Sequence, residues 1–281
     1  MTDLPARTGR ILMRRGALGL VVPVLLLALW EALSRWGMAP PNLLPAPSAV
    51  LRALGDLWVS GELPGHVEIT LLRVLLGFLL GTAVATVLGA VTGYSVLWRR
   101  ILDPLLQALR SIPSIAWVPL FVLWLGIFEA SKVTLIAMGA FFPVYLNTMA
   151  GIQQVDRKLV EVARVHGYGG AALVRRVLLP ATLPAYVTGL RGGLGLAWMF
   201  VIAAEFMGAS EGLGFLLIDG QQTGRPANII ASILLFALFG KLSDLALARV
   251  ARPFVAWQDS FESAEEKKAN AADPAPLQAI R

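Results

Sequence analysis

Six long apolar runs constrain the fold of this chain more than any other feature. They cover residues 17–34, 69–92, 104–125, 133–151, 185–206 and 229–248. The hydrocarbon core of a bilayer is about 30 Å thick, so a helix needs roughly 20 apolar residues to cross it. Charged residues make up only 15% of the chain, against about 25% in an average soluble domain. The sequence therefore predicts an all-α integral membrane protein with six transmembrane helices.

The distribution of Lys and Arg predicts how these helices are oriented. Sixteen of these residues fall on one side of the spans and four on the other. The sixteen lie in segments 1–16, 93–103, 152–184 and 249–281. Because basic loops remain in the cytoplasm, both termini are expected there.

Domain boundaries follow from the same pattern. The first run is interpreted as an uncleaved span, because no small-residue cleavage pattern follows it. We therefore expect a cytoplasmic N-terminal tail over 1–16 and a six-helix membrane domain over 17–256. The polar residues 257–281 are expected to form a disordered cytoplasmic tail.

Several classes of function are excluded. The net charge is +6, but the basic residues lie in short gaps between apolar runs, so membrane topology explains them better than nucleic-acid binding. The chain has no cysteine and two histidines, which excludes thiolate chemistry and leaves no spaced set of metal ligands. The nearest match to a phosphate-binding P-loop, Gly240-Lys241-Leu242, has Leu235 at its first glycine position. With no nucleophile–base pair either, we predict neither an enzyme nor a cofactor in this chain.

Besides Glu31, at the interfacial end of the first run, six charged residues lie inside the apolar runs, where each costs about 2.5–3.5 kcal/mol at mid-bilayer. They are Arg73, Arg110, Arg191, Glu205, Lys241 and Asp244. Arg73, Lys241 and Asp244 lie near the ends of runs and are expected to reach the interface by snorkelling. Arg110 and Arg191 lie deeper, and either line a water-filled path suited to an anion or form structural pairs. Glu205 is a third candidate for that path.

Two segments on the outer side are long enough to have structure. Residues 48–59 begin with Ser48, a favourable N-cap, and place apolar residues at helical spacing. This pattern predicts an amphipathic helix on the membrane surface. Residues 207–228 carry five glycines and are expected to form a loop with a short helical piece.

Prolines and glycines inside the runs predict local features of the spans. Pro113, Pro119 and Pro143 each remove a helical hydrogen bond and predict kinks. Glycines four residues apart, such as Gly189 and Gly193, predict close packing between helices.

The connection over 152–184 is the most informative element. It has 33 residues, whereas helix connections usually take about 2–8. Asp156 can cap a helix running to about His166, which would place Leu159, Val162, Ala163 and His166 on one stripe. Glycines then break the helix, and a second helix over 171–179 is expected to end at Pro180. Pro184 would begin the next span.

The residues of this connection resemble a known family. They are Glu161-Val162-Ala163, then Gly167 after three further residues, then Leu179-Pro180-Ala181-Thr182-Leu183-Pro184. This pattern is similar to the EAA loop of binding-protein-dependent ABC importer permeases. Val162 stands where the family often has Ala, a mild departure.

Further motifs narrow the resemblance to the branch for sulfonate, nitrate and taurine. They are Leu43-Leu44-Pro45-Ala46-Pro47, Arg110-Ser111-Ile112-Pro113, Trp117-Val118-Pro119-Leu120, the run from Gly139 to Thr148, Ala197-Trp198 and Ala203-Ala204-Glu205. The resemblance covers nearly the whole chain.

The resemblance implies a type I ABC importer-like transmembrane domain in the bacterial inner membrane. It implies a cytoplasmic coupling helix at Glu161, Val162, Ala163, His166, Gly167, Pro180 and Pro184. There a separate ATPase would dock, two copies per complex, using ATP and Mg²⁺. A second permease chain, as a homodimer, and a periplasmic binding protein would complete the assembly.

The expected substrate is a small anion. An aliphatic sulfonate is the main expectation, and taurine, nitrate and bicarbonate are the alternatives. It would cross by alternating access. A stand-alone secondary transporter or channel is the other class considered. That class favours inverted repeats, which the sequence lacks, and it would leave the long connection unexplained.

Overall fold

The structure is a computed structural model that describes residues 21–38, 40 and 42–256. Within these residues there is no strand, and the predicted all-α fold is confirmed. The elements are α1 (21–35), α2 (Pro47–Val59), α3 (Glu62–Tyr94), α4 (Val96–Ser111), a 3-10 turn (Ser114–Trp117), α5 (Val118–Leu125), α6 (Glu129–Gln153), α7 (Arg157–Val165), α8 (Gly170–Leu173), a π turn (Val174–Leu178), α9 (Leu179–Phe206), α10 (Leu213–Gln222) and α11 (Pro226–Val255). The predicted tails lie outside the described residues.

Four helical stretches are long and apolar enough to cross a membrane. They are α3, α6, the π turn joined to α9 (Val174–Phe206), and α11. The pair α4 and α5 makes a fifth if it counts as one bent span. The first predicted span, 17–34, falls partly outside the described residues, although 21–35 are helical. The total of six spans therefore stays a prediction.

The run over 104–125 is divided between two helices with a sharp bend between them, at the position where Pro113 predicts a kink. Helix α4 ends at Ser111, and Ile112 is extended, with φ −76° and ψ 124°. The reason is Pro113, whose ring disfavours helical geometry at the residue before it. Pro119 lies in the first turn of α5, where its missing N–H costs little. Pro143 remains inside α6.

The start of α2 also differs from its prediction. The N-cap is Ala46 and Pro47 opens the helix, so Ser48 does not act as the cap. Instead the Ser48 hydroxyl and N–H both donate to the Glu31 carboxylate, at 2.8 and 3.0 Å. A side chain from α1 thus stabilises the α2 N-terminus. Within 207–228, α10 is the expected short helical piece.

The chain divides into two compact units. Unit 1 contains the described residues up to Leu75, together with Leu120–Val133 and Val201–Phe239. Unit 2 contains Leu76–Pro119, Thr134–Phe200 and the described residues from Gly240.

Glycines let helices pack closely in unit 2, as their spacing predicts. A Cβ on Gly81 would collide with the Ala137 carbonyl of α6. A Cβ on Gly193 of α9 would lie 2.9 Å from the Ala140 carbonyl. Real Cβ contacts are longer than this, so only glycine permits these approaches of α3 and α9 to α6.

Candidate functional site

The first half of the 152–184 connection folds as the sequence predicts. The Asp156 carboxylate accepts a hydrogen bond from the Lys158 N–H at 2.9 Å and caps α7. His166 is the C-cap, and Gly167 follows with φ +79°. A left-handed residue favours glycine because it has no Cβ. An added Cβ on Gly167 would meet no atom within 4 Å, so the requirement within the chain is conformational rather than steric.

The second half differs from its prediction. Pro180 does not end a helix and Pro184 does not begin one, because both lie within the first two turns of the continuous helix α9. A π turn precedes them, in which the Leu179 N–H bonds to the Val174 carbonyl five residues back. The wider π turn shifts the hydrogen bonds by one residue. The helix therefore continues through Pro180 and Pro184, although proline has no N–H to donate.

Helix α7 presents apolar side chains to the outside of unit 2. Leu159, Val162 and Val165 are 52%, 56% and 86% exposed, and Ala163 is buried. The predicted stripe is therefore only partly right, because Ala163 faces inward and Val165, which it omitted, is the most exposed of the four. Exposed large apolar residues grouped on one helix mark an interaction surface. We call Leu159, Val162 and Val165 the α7 apolar face.

The other predicted docking residues lie on the same connection or in the first turns of α9. Glu161 and His166 are exposed, and the His166 ring nitrogen Nδ1 is 2.8 Å from the Val162 carbonyl oxygen. Basic side chains on the same connection are also exposed. They are Arg157, Lys158, Arg164, Arg175 and Arg176. Arg176 donates to the Tyr168 hydroxyl at 3.1 Å and lies over its ring.

The two arginines predicted for a translocation path differ in whether their side chains are paired. Arg110 is exposed in the last turn of α4, and no hydrogen bond or ion pair joins its side chain to another described residue. Arg191 instead forms a bidentate pair with Asp244 of α11, at 2.8 and 2.9 Å. Asp244 is therefore engaged in this pair rather than only snorkelling, and of the two arginines Arg110 alone keeps an uncompensated charge.

Arg73 does not snorkel, contrary to its prediction, but is buried in unit 1. Its Nε and Nη2 donate to the two Glu129 oxygens, both at 2.7 Å, and its Nη1 donates to Glu205 Oε1 at 2.9 Å. Lys132 also donates to Glu129, at 2.9 Å. The Glu205 side chain is completely buried. We call Arg73, Glu129, Lys132 and Glu205 the charge cluster.

Sequence reasoning missed this cluster, although a local signal existed. His66, Thr70 and Arg73 follow the spacing i, i+4, i+7 and so lie on one face of α3. Polar side chains on one face of an apolar helix indicate a polar partner. Among the described residues no group of His, Cys, Asp and Glu could hold a metal ion.

Comparison with known proteins identifies the family. Residues 75–254 match the model for the binding-protein-dependent transport system inner membrane component. A protein of Bacillus subtilis named as an aliphatic sulfonates transport permease, SsuC, is 41% identical over 87% of this chain and 88% of its own length. The taurine transport system permease TauC of Escherichia coli is 31% identical over 89% of this chain and 93% of its own length.

A solved structure shares the fold. A chain of the MetNI methionine ABC transporter in inward-facing conformations matches with a TM-score of 0.55 and 21% identity, over 71% of this chain and 98% of that chain. The predicted type I ABC importer fold is therefore confirmed. The chain belongs to the binding-protein-dependent transport system inner membrane components and is a multi-pass permease subunit of an ABC importer.

Proposed function

We propose that this permease carries a small anion across the inner membrane and that this anion is an aliphatic sulfonate. Support comes from the 41% identity to a relative named for aliphatic sulfonates. A second relative is named for taurine, which also bears a sulfonate group. Taurine itself, nitrate and bicarbonate are the alternatives within the same branch.

The observation that carries the coupling role is the α7 apolar face. Leu159, Val162 and Val165 are exposed on a capped helix, and leaving them in water would cost free energy that a partner recovers. We propose that the ATPase subunit covers this face, with Glu161, Val162, His166 and Gly167 at the contact. Ala163, Pro180 and Pro184 would shape the surface from within.

The complete transporter would contain two copies of this chain, two ATPase subunits and a periplasmic binding protein. Both termini of this chain would be cytoplasmic. ATP and Mg²⁺ would be used by the ATPase, whose closure would move the α7 apolar faces and switch the spans between outward and inward access. Family membership leaves the stand-alone transporter or channel without support.

For the path, we propose that Arg110 attracts the anion. It is exposed and free of a carboxylate partner among the described residues, so its charge is available to a substrate. The Arg191 charge is already balanced by Asp244, and Glu205 is enclosed in the charge cluster. We therefore assign Arg191 and Glu205 lesser roles in the path than Arg110.

Uptake into proteoliposomes tests the substrate. The permease, its ATPase and its binding protein would be reconstituted and supplied with labelled ethanesulfonate, taurine, nitrate or bicarbonate, with and without ATP. ATP-dependent accumulation of ethanesulfonate, reduced by other alkanesulfonates, is the expected result. Accumulation of nitrate or bicarbonate with no uptake of either sulfonate would contradict the proposal.

A further inference from the structure

The N-terminus of α10 is held by side chains from two other helices of unit 1. Three consecutive backbone N–H groups donate to side chains: Gly212 to His66 Nδ1 at 3.0 Å, Leu213 to Thr70 Oγ1 at 2.8 Å, and Gly214 to Glu205 Oε2 at 2.6 Å. The first N–H groups of a helix have no partner within the helix and must find one elsewhere. Here α3 and α9 supply all three acceptors.

The Glu205 carboxylate links this helix terminus to the charge cluster. Besides Gly214, it accepts from the Thr70 hydroxyl at 2.7 Å and from Arg73 at 2.9 Å. A carboxylate at a helix N-terminus is also favoured by the helix dipole. Arg73 in turn donates to the Glu211 carbonyl just before α10, at 2.7 Å. Every hydrogen bond of the Arg73 side chain therefore ends on α6, α9 or the segment that leads into α10.

The cluster is electrically complete, and three of its four side chains are buried, whereas Glu129 is 53% exposed. The Arg73 side chain is 4% exposed and the Glu205 side chain is not exposed at all. Two cations, Arg73 and Lys132, balance two carboxylates, Glu129 and Glu205. Buried charges are tolerated when they are paired and hydrogen-bonded, and they become costly when one partner is removed. The arrangement therefore resists any movement that would separate its members.

Two glycines make the close approach possible. Gly212 has φ +124°, and a Cβ there would collide with the Glu205 carboxylate. A Cβ on Gly214 would lie 2.8 Å from Glu205 Cβ. Larger residues at either position would push α10 away from the carboxylate. The sequence Gly212-Leu213-Gly214 is thus matched to this one placement of α10.

We propose that Arg73 is a positioning residue for transport, which keeps α10 attached to α3 so that residues 62–75, 129–133 and 201–222 move as one body through the transport cycle. This inference rests on the proposed function only in assuming a cycle of alternating access. Arg73 acts through Glu205 and the segment that leads into α10, to which its side chain bonds directly. The substrate could be any anion without affecting the argument.

Cysteine labelling tests the proposal, because the natural chain contains no cysteine. Leu216 of α10 is 3% exposed, so a Leu216→Cys variant reports whether α10 stays packed. The permease would be assembled with its ATPase, and its reaction rate with N-ethylmaleimide would be measured at rest and after vanadate trapping with ATP. We expect slow labelling at equal rates in both states. Labelling that accelerates by about tenfold or more on trapping would overturn the proposal, because it would show α10 separating during the cycle.

Substitutions of Arg73 then test its part in holding α10. In the Leu216→Cys background, Arg73→Gln should raise the labelling rate at rest by about tenfold or more, and Arg73→Lys should restore most of the protection. Arg35→Gln is the matched control, because Arg35 pairs with Glu31 at the exposed surface of the same unit. Unchanged labelling in an assembled Arg73→Gln variant would overturn the role of Arg73. If that variant does not assemble, the smaller rise in labelling rate that remains in Arg73→Lys is the test, and a rate equal to that of the Leu216→Cys parent would overturn the role of Arg73.

Uptake kinetics separate positioning from general stability. Arg73→Lys should lower the maximal uptake rate and leave the KM for the transported anion unchanged, since Arg73 bonds to Glu129, Glu205 and the segment before α10 and not to Arg110, the main residue assigned to the path. A raised KM with an unchanged maximal rate would contradict the proposal. Labelling needs no anion, so failure of sulfonate uptake in the unsubstituted permease would count against the proposed function alone.

Discussion

The charge cluster and the α7 apolar face reverse the usual distribution of polar and apolar groups. In unit 1, Arg73 and Glu205 are buried, whereas in unit 2 three large apolar side chains of α7 are exposed. The cluster is complete, since each charge has a partner inside the chain. The apolar face is incomplete, since its side chains lack the burial that apolar groups normally gain on folding.

This difference indicates what each region is for. The Arg73–Glu205 pair is buried, so it acts within the chain, where it fixes one element against another. In the proposed function the exposed surface acts between chains, where the ATPase would supply the missing contacts. Substitutions in the cluster should therefore affect the folding of the isolated permease, and substitutions on the apolar face should affect only its assembly with the ATPase.

The largest expected effect is on stability at the cluster. Arg73→Gln leaves Glu205 and Glu129 without their main cation and should destabilise the permease by about 3–5 kcal/mol. Arg191→Gln removes the similar bidentate pair with Asp244, but Arg191 is 49% exposed, so the cost should be at most about 1 kcal/mol. Thermal unfolding of both variants in detergent measures the difference. Equal losses would show that burial does not distinguish the two pairs.

The next effect is on assembly at the α7 apolar face. Val162→Asp should weaken binding of the ATPase by tenfold or more, because an apolar side chain at such a contact contributes about 1.5–3 kcal/mol. Thermal unfolding of the isolated permease should not change. The matched control is Val59→Asp, which makes the same change at an exposed valine of unit 1 that is predicted to lie on the outer side. Co-purification of the ATPase with each variant gives the comparison, and equal retention by both would argue against docking at α7.

The two regions also differ in how far the sequence predicts them. Asp156, the glycines after His166 and the length of 152–184 are local signals, and the structure confirms the capped helix that they predict. The Arg73–Glu205 pair joins residues 132 positions apart, and although the polar face of α3 indicates a polar partner, no local pattern identifies that partner as Glu205. The hydropathy pattern places Arg73 near the end of an apolar run, and this position alone predicts that its side chain reaches the interface by snorkelling. Only the tertiary fold shows that Glu129 and Glu205 converge on it.

The remaining errors have similar causes. Apolar runs predict that a helix exists, but they do not show whether a proline breaks it. Pro113 ends α4 because Ile112 becomes extended, whereas Pro180 and Pro184 remain inside α9 after a π turn. The same residue type thus has opposite outcomes, which depend on whether neighbouring backbone can rearrange. Sequence alone does not contain that information.

A substitution at Gly167 should affect binding of the ATPase less than Val162→Asp does. Its larger effect should be on the coupling of ATP hydrolysis to anion uptake. Gly167→Asp should leave the permease in the membrane but reduce the anion taken up per ATP hydrolysed, because the αL conformation at the end of α7 becomes strained. Gly169→Asp is the matched control: an added Cβ meets nothing within 4 Å at either position, but only Gly167 of the two has a positive φ. Gly167→Asn should retain more coupling, since Asn is among the residues that best tolerate this conformation. Equal coupling in the two Asp variants would contradict the conformational explanation.

The smallest expected effect is at the arginines of the path. Arg110→Ala should reduce anion uptake by several-fold, because the charge it removes is not balanced by any described carboxylate and is free to attract substrate. Arg191→Ala should reduce uptake less, because Asp244 already compensates that charge. The concentration dependence of uptake, measured at low and high salt, checks the cause: the Arg110 effect should shrink as salt screens the attraction. If Arg191→Ala lowers uptake more than Arg110→Ala does, the ion pair between Arg191 and Asp244 has to open during transport. Arg191, rather than Arg110, would then be the positive charge that the anion meets.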